Sequence, residues 1–276
     1  MTSAEAIRHH YDVGNDFYRL WLDPTLSYSS AWREGEQDLE AAQENKLGRH
    51  LAAAGARTRL LDVGCGWGGI LARAGVPAVG LTLSDEQAAH VAALGLPDVE
   101  VRVEDWRDHE PTEPYDGIVS IGAFEHFAGL GRDSAAKIAI YREFFTRCRD
   151  WLAGTTGALS LQTIAYADMD PAEASGFMQQ EIFPDAELPT LAEITAAAEG
   201  VLEVTALSNG RLDYAWTCAE WARRLKAHRV QARELVGAET VARYERYLTL
   251  SSLGFRMGRI ALYRITLRPY GSRWGT

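Results

Sequence analysis

Glu125 and His126 are the residues of this 276-residue chain best suited to acid–base chemistry: they sit between Phe124 and Phe127, just past the apolar run Ile118 to Ile121. A carboxylate flanked by aromatic rings is partly desolvated, which lifts its pKa and suits it to act as a general base or as an orienting acceptor. A second chemical feature lies upstream, where Leu60-Leu61-Asp62-Val63 runs into Gly64-Cys65-Gly66-Trp67-Gly68-Gly69. Gly64, Gly66 and Gly69 fit the spacing G-x-G-x-x-G, which gives a tight strand-to-helix turn and lets a nucleotide-like cofactor approach the backbone. A dinucleotide site would carry an acidic residue about 20 positions further on. Here the next strand ends in Thr82, Leu83 and Ser84, and the first carboxylate is Asp85, so an NAD reading is weakened. Trp67 and Trp106 are rings of the kind that flank a planar adenine.

The elements that must position these residues follow from the apolar pattern. Strand-like runs near 59–63, 77–82, 99–103, 116–121, 157–163, 201–207 and 259–267 alternate with helical segments, the rhythm of a mostly parallel, doubly wound α/β sheet. Glu125 then lies at the carboxyl end of a strand beside the glycine turn, where open α/β sheets bind ligands. Ser84 followed by Gln87, and Thr190 followed by Glu193, have the capping-box pattern of helix starts. The helix after the glycine turn, Ile70 to Ala74, must be very short. Two helices, near Asp16 to Leu22 and Leu39 to Ala54, precede the sheet. The stretch 165–258 is too long for a simple crossover and reads as a helical insertion over the sheet's carboxyl edge. The expected organisation is one domain: a helical cap (1–56), a cofactor-binding core (57–164), the substrate-covering insertion (165–258), and a final strand and tail (259–276).

Composition narrows the class. Apolar residues at 47% and charged residues at 24% are globular values, which argues against a disordered or fibrous chain. No run of roughly 18 apolar residues suggests a membrane span, and Met1 to Asp12 lacks the apolar core of a signal peptide, so cytoplasmic residence is expected. Cys65, Cys148 and Cys218 have no metal-ligand spacing, and Cys148 and Cys218 read as core thiols; no metal is expected. A net charge of −10 argues against nucleic acid as a partner. Residues 211–276 nevertheless carry 13 basic and 5 acidic side chains. Those arginines, Arg256, Arg259 and Arg264 among them, read either as a solvated face paired with acidic neighbours or as a grip for an anionic substrate group.

Blocks along nearly the whole chain resemble one family. His10-Tyr11-Asp12-Val13-Gly14-Asn15-Asp16-Phe17-Tyr18, Leu22-Asp23-Pro24, Tyr28-Ser29-Ser30-Ala31-Trp32, the glycine turn, Gly80 to Ser84, Ser120 to Phe127, and Ile182-Phe183-Pro184 before Leu188-Pro189 are similar, in order, to cyclopropane fatty acid synthases and mycolic acid methyltransferases. The resemblance implies S-adenosylmethionine as cofactor, with S-adenosylhomocysteine as product. It also implies a Rossmann-like class I methyltransferase fold with seven strands, the last antiparallel.

For the cofactor it implies Tyr28 and Ser29 at the methionine part, Asp62, Gly64, Cys65 and Gly66 in the turn, Thr82, Leu83 and Gln87 in place of the ribose-binding acid, Trp106 over the adenine, and Asp105 and Ile121 as further cofactor contacts. The resemblance also implies a bicarbonate ion held as base. The matching positions here are Ser30, Glu125, Gln162, Tyr214 and the backbone of Ile164, with serine and glutamine standing where the family has cysteine and histidine. Serine and glutamine still donate hydrogen bonds. On this reading bicarbonate binding is weakened, and Glu125 acts directly, with Tyr214 and His126 beside it. Tyr11, Phe124, Phe177, Phe183 and Trp216 are aromatic candidates for stabilising a carbocation at the substrate.

The activity implied is methyl transfer to a carbon–carbon double bond of a lipid-like molecule. With Arg256 binding an anionic group, an isoprenoid diphosphate or carrier-bound acyl chain is the first expectation; acyl-chain cyclopropanation and N-methylation of a small amine are the alternatives. No stable membrane insertion is expected, and the oligomeric state is left open.

Overall fold

In the computed structural model, which describes residues 14–169 and 187–272, all seven strand-like runs join one sheet. The strands are β1 (Leu60–Val63), β2 (Ala78–Thr82), β3 (Val99–Val103), β4 (Gly117–Ile121), β5 (Ala158–Tyr166), β6 (Glu203–Asn209) and β7 (Ile260–Arg268), in the order β3-β2-β1-β4-β5-β7-β6. β1 to β5 pair in parallel, while β7 runs antiparallel to both β5 and β6. Every residue of β1, β2 and β5 is buried, because helices cover both faces; such strands therefore read as mainly apolar runs, with Asp62 in β1 and Ser160, Gln162 and Thr163 in β5 as buried polar exceptions.

The helices are α1 (Asn15–Arg19), α2 (Leu39–Ala54), α3 (Asp85–Ala93), α4 (Ser134–Trp151), α5 (Leu191–Ala198), α6 (Arg211–Ala227) and α7 (Arg229–Met257). The connection after the glycine turn is only a single 3-10 turn, Leu71–Arg73. Asp38 caps α2 by accepting from the Ala41 amide, and Gly55 closes it in the left-handed conformation. At α5 the expected capping box forms in full between Thr190 and Glu193. At α3 only half of it forms. Ser84 accepts the Gln87 amide, but the Gln87 side chain turns to Thr82 Oγ1 at 2.7 Å. Gly237, with non-helical angles, kinks α7.

Two apolar layers flank the sheet. One lies under α4 and α5 and contains Phe124, Tyr141, Phe144 and Phe145. On the other side Leu47, Ala54 and Val91 pack against the β1 and β2 residues Leu60 and Ala78. A third cluster joins Phe17, Tyr18 and Trp21 to Tyr214, Trp221, Tyr244 and Phe255 of α6 and α7, next to Ile164 of β5. Tyr214, Cys218, Trp221 and Leu225 recur at helical spacing and form the buried stripe of α6.

Candidate active site

The glycine turn folds as its residue types require. The Gly64 and Cys65 amides both donate to the Leu81 carbonyl at 2.9 Å, tying the turn to β2. Gly64 has φ +80°, and a Cβ there would lie 2.5 Å from the Ala123 Cβ, so the turn presses against the segment that carries Glu125 and His126. Gly66, at φ +53°, faces open space.

These segments wall an open-mouthed cavity of about 1130 Å³ over the carboxyl ends of β1, β2 and β4. Tyr28, Ser29, Asp62, Gly64, Cys65, Gly66, Thr82, Leu83, Gln87, Asp105, Trp106 and Ile121 all line it, so each residue expected to hold the cofactor reaches one space. His126 lines it too. Because Thr82 donates to Gln87 Oε1, the Gln87 amide group keeps its N–H donors for a ligand hydroxyl. Trp106 is 4% exposed, carries the Arg107 guanidinium 4.4 Å from its ring centroid, and has an indole N–H without a partner among the described residues. An open glycine cradle, an amide with spare donors and an aromatic wall fit an adenosyl cofactor. The Cys65 thiol is pushed up by burial and stays protonated.

Glu125 stands in a 3-10 turn, Phe124–His126, directly after β4. It does not line the cavity. The carboxylate is 3% exposed, and its Oε1 accepts the Ile164 amide of β5 at 2.6 Å. Its Oε2 is buried without a hydrogen-bond partner among the described residues. Burial raises its pKa to about 7, against the opposing pull of the Ile164 amide, its own backbone amide and the Thr163 hydroxyl.

Two donors of the expected anion site, the Ser30 hydroxyl and the Ile164 amide, are already engaged, while Gln162 is held through its acceptor oxygen. The Ser30 hydroxyl donates to the Ala31 carbonyl at 2.9 Å. Gln162 Oε1 faces Arg264 Nε at 3.0 Å and His50 Nε2 at 3.4 Å. Burial drives the His50 pKa down to about 3, so the imidazole is neutral. The Ile164 amide is spent on Glu125. With the Ser30 and Ile164 donors spent inside the protein, this arrangement offers a bicarbonate ion fewer donors than the expected site, and no step is assigned to one. Tyr214 stacks on Phe255 at 4.5 Å and meets Trp221 edge-on at 6.1 Å.

Not every expected substrate contact comes to the site. Phe124 points the other way, stacked on Tyr141 at 4.3 Å within the layer under α4. Trp216 carries Arg33 over its ring at 4.5 Å, packs against the aromatic cluster and does not line the cavity. Arg256 is exposed in the last turn of α7, also outside the cavity lining. Tyr11, Phe177 and Phe183 lie outside the described residues.

The two readings of the arginine-rich end separate clearly. Arg264 donates to Asp213 at 2.7 Å and to the Ala31 carbonyl at 2.7 Å. Arg224 pairs with Glu40 and Glu220, and Arg229 pairs with Glu245. Arg211 and Arg259 donate to backbone carbonyls. Pairing inside the protein accounts for these side chains. Sequence reasoning passed over Lys46, a buried lysine of α2 that lines the cavity.

Strand order, the antiparallel β7 and a cofactor cavity over β1, β2 and β4 define a class I S-adenosylmethionine-dependent methyltransferase. Within that class, a model of the mycolic acid cyclopropane synthetase family matches residues 1–265, and the chain belongs to that family. It is 37% identical to a probable fatty acid methyltransferase of Pseudomonas putida, over 98% of this chain and 70% of that protein. It is 36% identical to cyclopropane mycolic acid synthase 2 of Mycobacterium bovis, over 92% of this chain and 90% of that one. The crystal structure of mycolic acid cyclopropane synthase CmaA1 complexed with SAH and CTAB superposes with a TM-score of 0.85 at 34% identity, covering 96% of this chain and 98% of that one.

Proposed function

We propose that this protein methylates a carbon–carbon double bond in the acyl chain of a lipid and that Glu125 removes the proton whose loss closes a cyclopropane ring. The observation that carries the reading is the half-satisfied Glu125 carboxylate: one oxygen is held by the Ile164 amide, and the other is buried without a partner among the described residues. Bound S-adenosylmethionine supplies an electrophilic methyl group, whose transfer to one alkene carbon leaves a cation on its neighbour.

Glu125 as base takes a proton from the new methyl group, and the freed C–H electron pair forms the third ring bond. A pKa near 7 suits that exchange at neutral pH, because the group accepts a proton without being trapped as the acid. Leu26, Tyr28 and Trp67 belong both to the cavity lining and to the aromatic cluster with Ile164 and Tyr214, which favours an apolar acceptor. Desolvated rings facing the cation would each contribute roughly 1 to 2 kcal/mol. The relatives named for cyclopropane synthesis and fatty acid methylation support an acyl chain over an isoprenoid diphosphate. The engaged arginines of the carboxyl-terminal segment point the same way.

The test is incubation with methyl-labelled S-adenosylmethionine and a panel of unsaturated phospholipids, unsaturated acyl thioesters, prenyl diphosphates and small amines. Label in an acyl chain supports the proposal; label confined to a prenyl diphosphate or an amine overturns it.

A further inference from the structure

Lys46 is a buried lysine that forms no salt bridge among the described residues, although Asp23 and Asp62 lie close enough to act on its charge. It is 1% exposed in the middle of α2 and lines the cofactor cavity, and its ammonium donates to Ser29 Oγ at 3.0 Å. The carboxylates near it are otherwise disposed. Asp23 is spent on the chain that follows it, accepting the Thr25 amide at 2.9 Å and the Ser27 amide at 3.0 Å. Asp62, at the end of β1, also lines the cavity and is 2% exposed, yet it forms neither an ion pair with Lys46 nor a hydrogen bond among the described residues. A buried ammonium and a buried carboxyl group therefore face one cavity, each without a salt bridge among the described residues. Leaving a buried charge unpaired costs several kcal/mol, so such groups are built to meet a ligand.

We infer that Lys46 binds the carboxylate of the cofactor's amino-acid end, with Asp62 opposite it on the ammonium. An α-amino acid carries one charge of each sign a few bonds apart, which is the pattern these two side chains present. Ser29 fixes the Lys46 ammonium, and α2 fixes Ser29 in turn, since Gln43 Nε2 donates to the Ser29 carbonyl at 2.9 Å. Burial lowers the Lys46 pKa only to about 8, so it remains cationic at neutral pH. This inference rests on the cofactor assignment and extends it to a residue of α2, the helix that packs beside the glycine turn through Leu47.

The test is calorimetric binding of three ligands: S-adenosylhomocysteine, its decarboxylated analogue, and 5′-methylthioadenosine, which lacks the whole amino-acid end. Lys46→Met should weaken S-adenosylhomocysteine about tenfold to a hundredfold, the scale of a hydrogen bond to a charged group, and leave the other two within about twofold. An equal loss for all three ligands would make Lys46 a support of the 25–30 segment only and overturn the inference, as would an unchanged affinity for S-adenosylhomocysteine. The unaltered protein gives a second measurement that does not depend on the variant folding. It should prefer S-adenosylhomocysteine to the decarboxylated analogue by at least about tenfold, and equal affinities would overturn the inference. Failure of all three to bind the unaltered protein would instead overturn the cofactor assignment.

Discussion

Glu125 and Ile164 meet across adjacent strands: the Ile164 amide of β5 donates to Glu125 Oε1 at 2.6 Å and holds the carboxylate at the end of β4. The contact orients one oxygen and leaves the other buried and unpaired among the described residues. A carboxylate oriented by one fixed donor, in a site that raises its pKa, has the properties of a general base.

Glu125→Gln keeps the shape and removes the basic oxygen. Turnover should fall about 100- to 10,000-fold, the usual worth of a positioned base, with S-adenosylhomocysteine affinity unchanged in a calorimetric titration. Because the Ser30 hydroxyl and the Ile164 amide are engaged within the protein, depleting bicarbonate should leave the parent rate nearly unchanged.

The pH dependence follows from the same carboxylate. Its pKa is raised from 4.5 to about 7, so the basic form accumulates as pH rises, and kcat should climb through about pH 7 and then level off. Stability moves oppositely. Between 4.5 and about 7 the folded protein holds a proton that the unfolded chain has lost, so raising the pH across that window costs stability, up to about 3 kcal/mol for this group. Chemical denaturation at both ends of the window should show Glu125→Gln gaining stability relative to the parent as pH rises; a constant difference would contradict the assignment.

Gly64 and Gly66 should respond differently to alanine. At Gly64 the added Cβ meets Ala123 at 2.5 Å and must displace the turn that bears Glu125, so both S-adenosylhomocysteine affinity and turnover should drop. At Gly66 the Cβ enters open space, and the cost is the left-handed backbone, about 1 kcal/mol of stability, with a loss of cofactor affinity from the narrowed cradle. Titration and thermal melting of the two variants separate these effects.

Arg264→Ala should destabilise the protein by about 3 kcal/mol, because it strips partners from Asp213 and Gln162 in a buried setting. Arg256→Ala, at an exposed position, should change stability by less than about 0.5 kcal/mol. Denaturant titration of both variants checks this.

The sheet and the cofactor cavity were legible in the sequence for physical reasons. Strands covered on both faces, such as β1 and β2, are mainly apolar, and the turn at Gly64 needs residues that tolerate positive φ. Lys46 was not legible: between Asn45 and Leu47, one turn before Arg49, it reads as part of a charged helix face, and only the packing of α2 over the cavity buries it. The fate of the arginines was hidden for a similar reason, since Arg224 finds Glu40, 184 residues earlier in the chain. Phe124 was misleading because adjacency to Glu125 in sequence says nothing about direction. Within the 3-10 turn its ring faces α4 while the neighbouring carboxylate faces β5.

The central claim, that Glu125 takes a proton from the transferred methyl group, is tested most directly with S-adenosylmethionine deuterated in that methyl and an unsaturated phospholipid as acceptor. Mass spectrometry and NMR of the product should show a ring methylene that keeps two of the three deuterons and no remaining double bond. A product that keeps all three deuterons in an intact methyl group, beside a retained or shifted double bond, would contradict it.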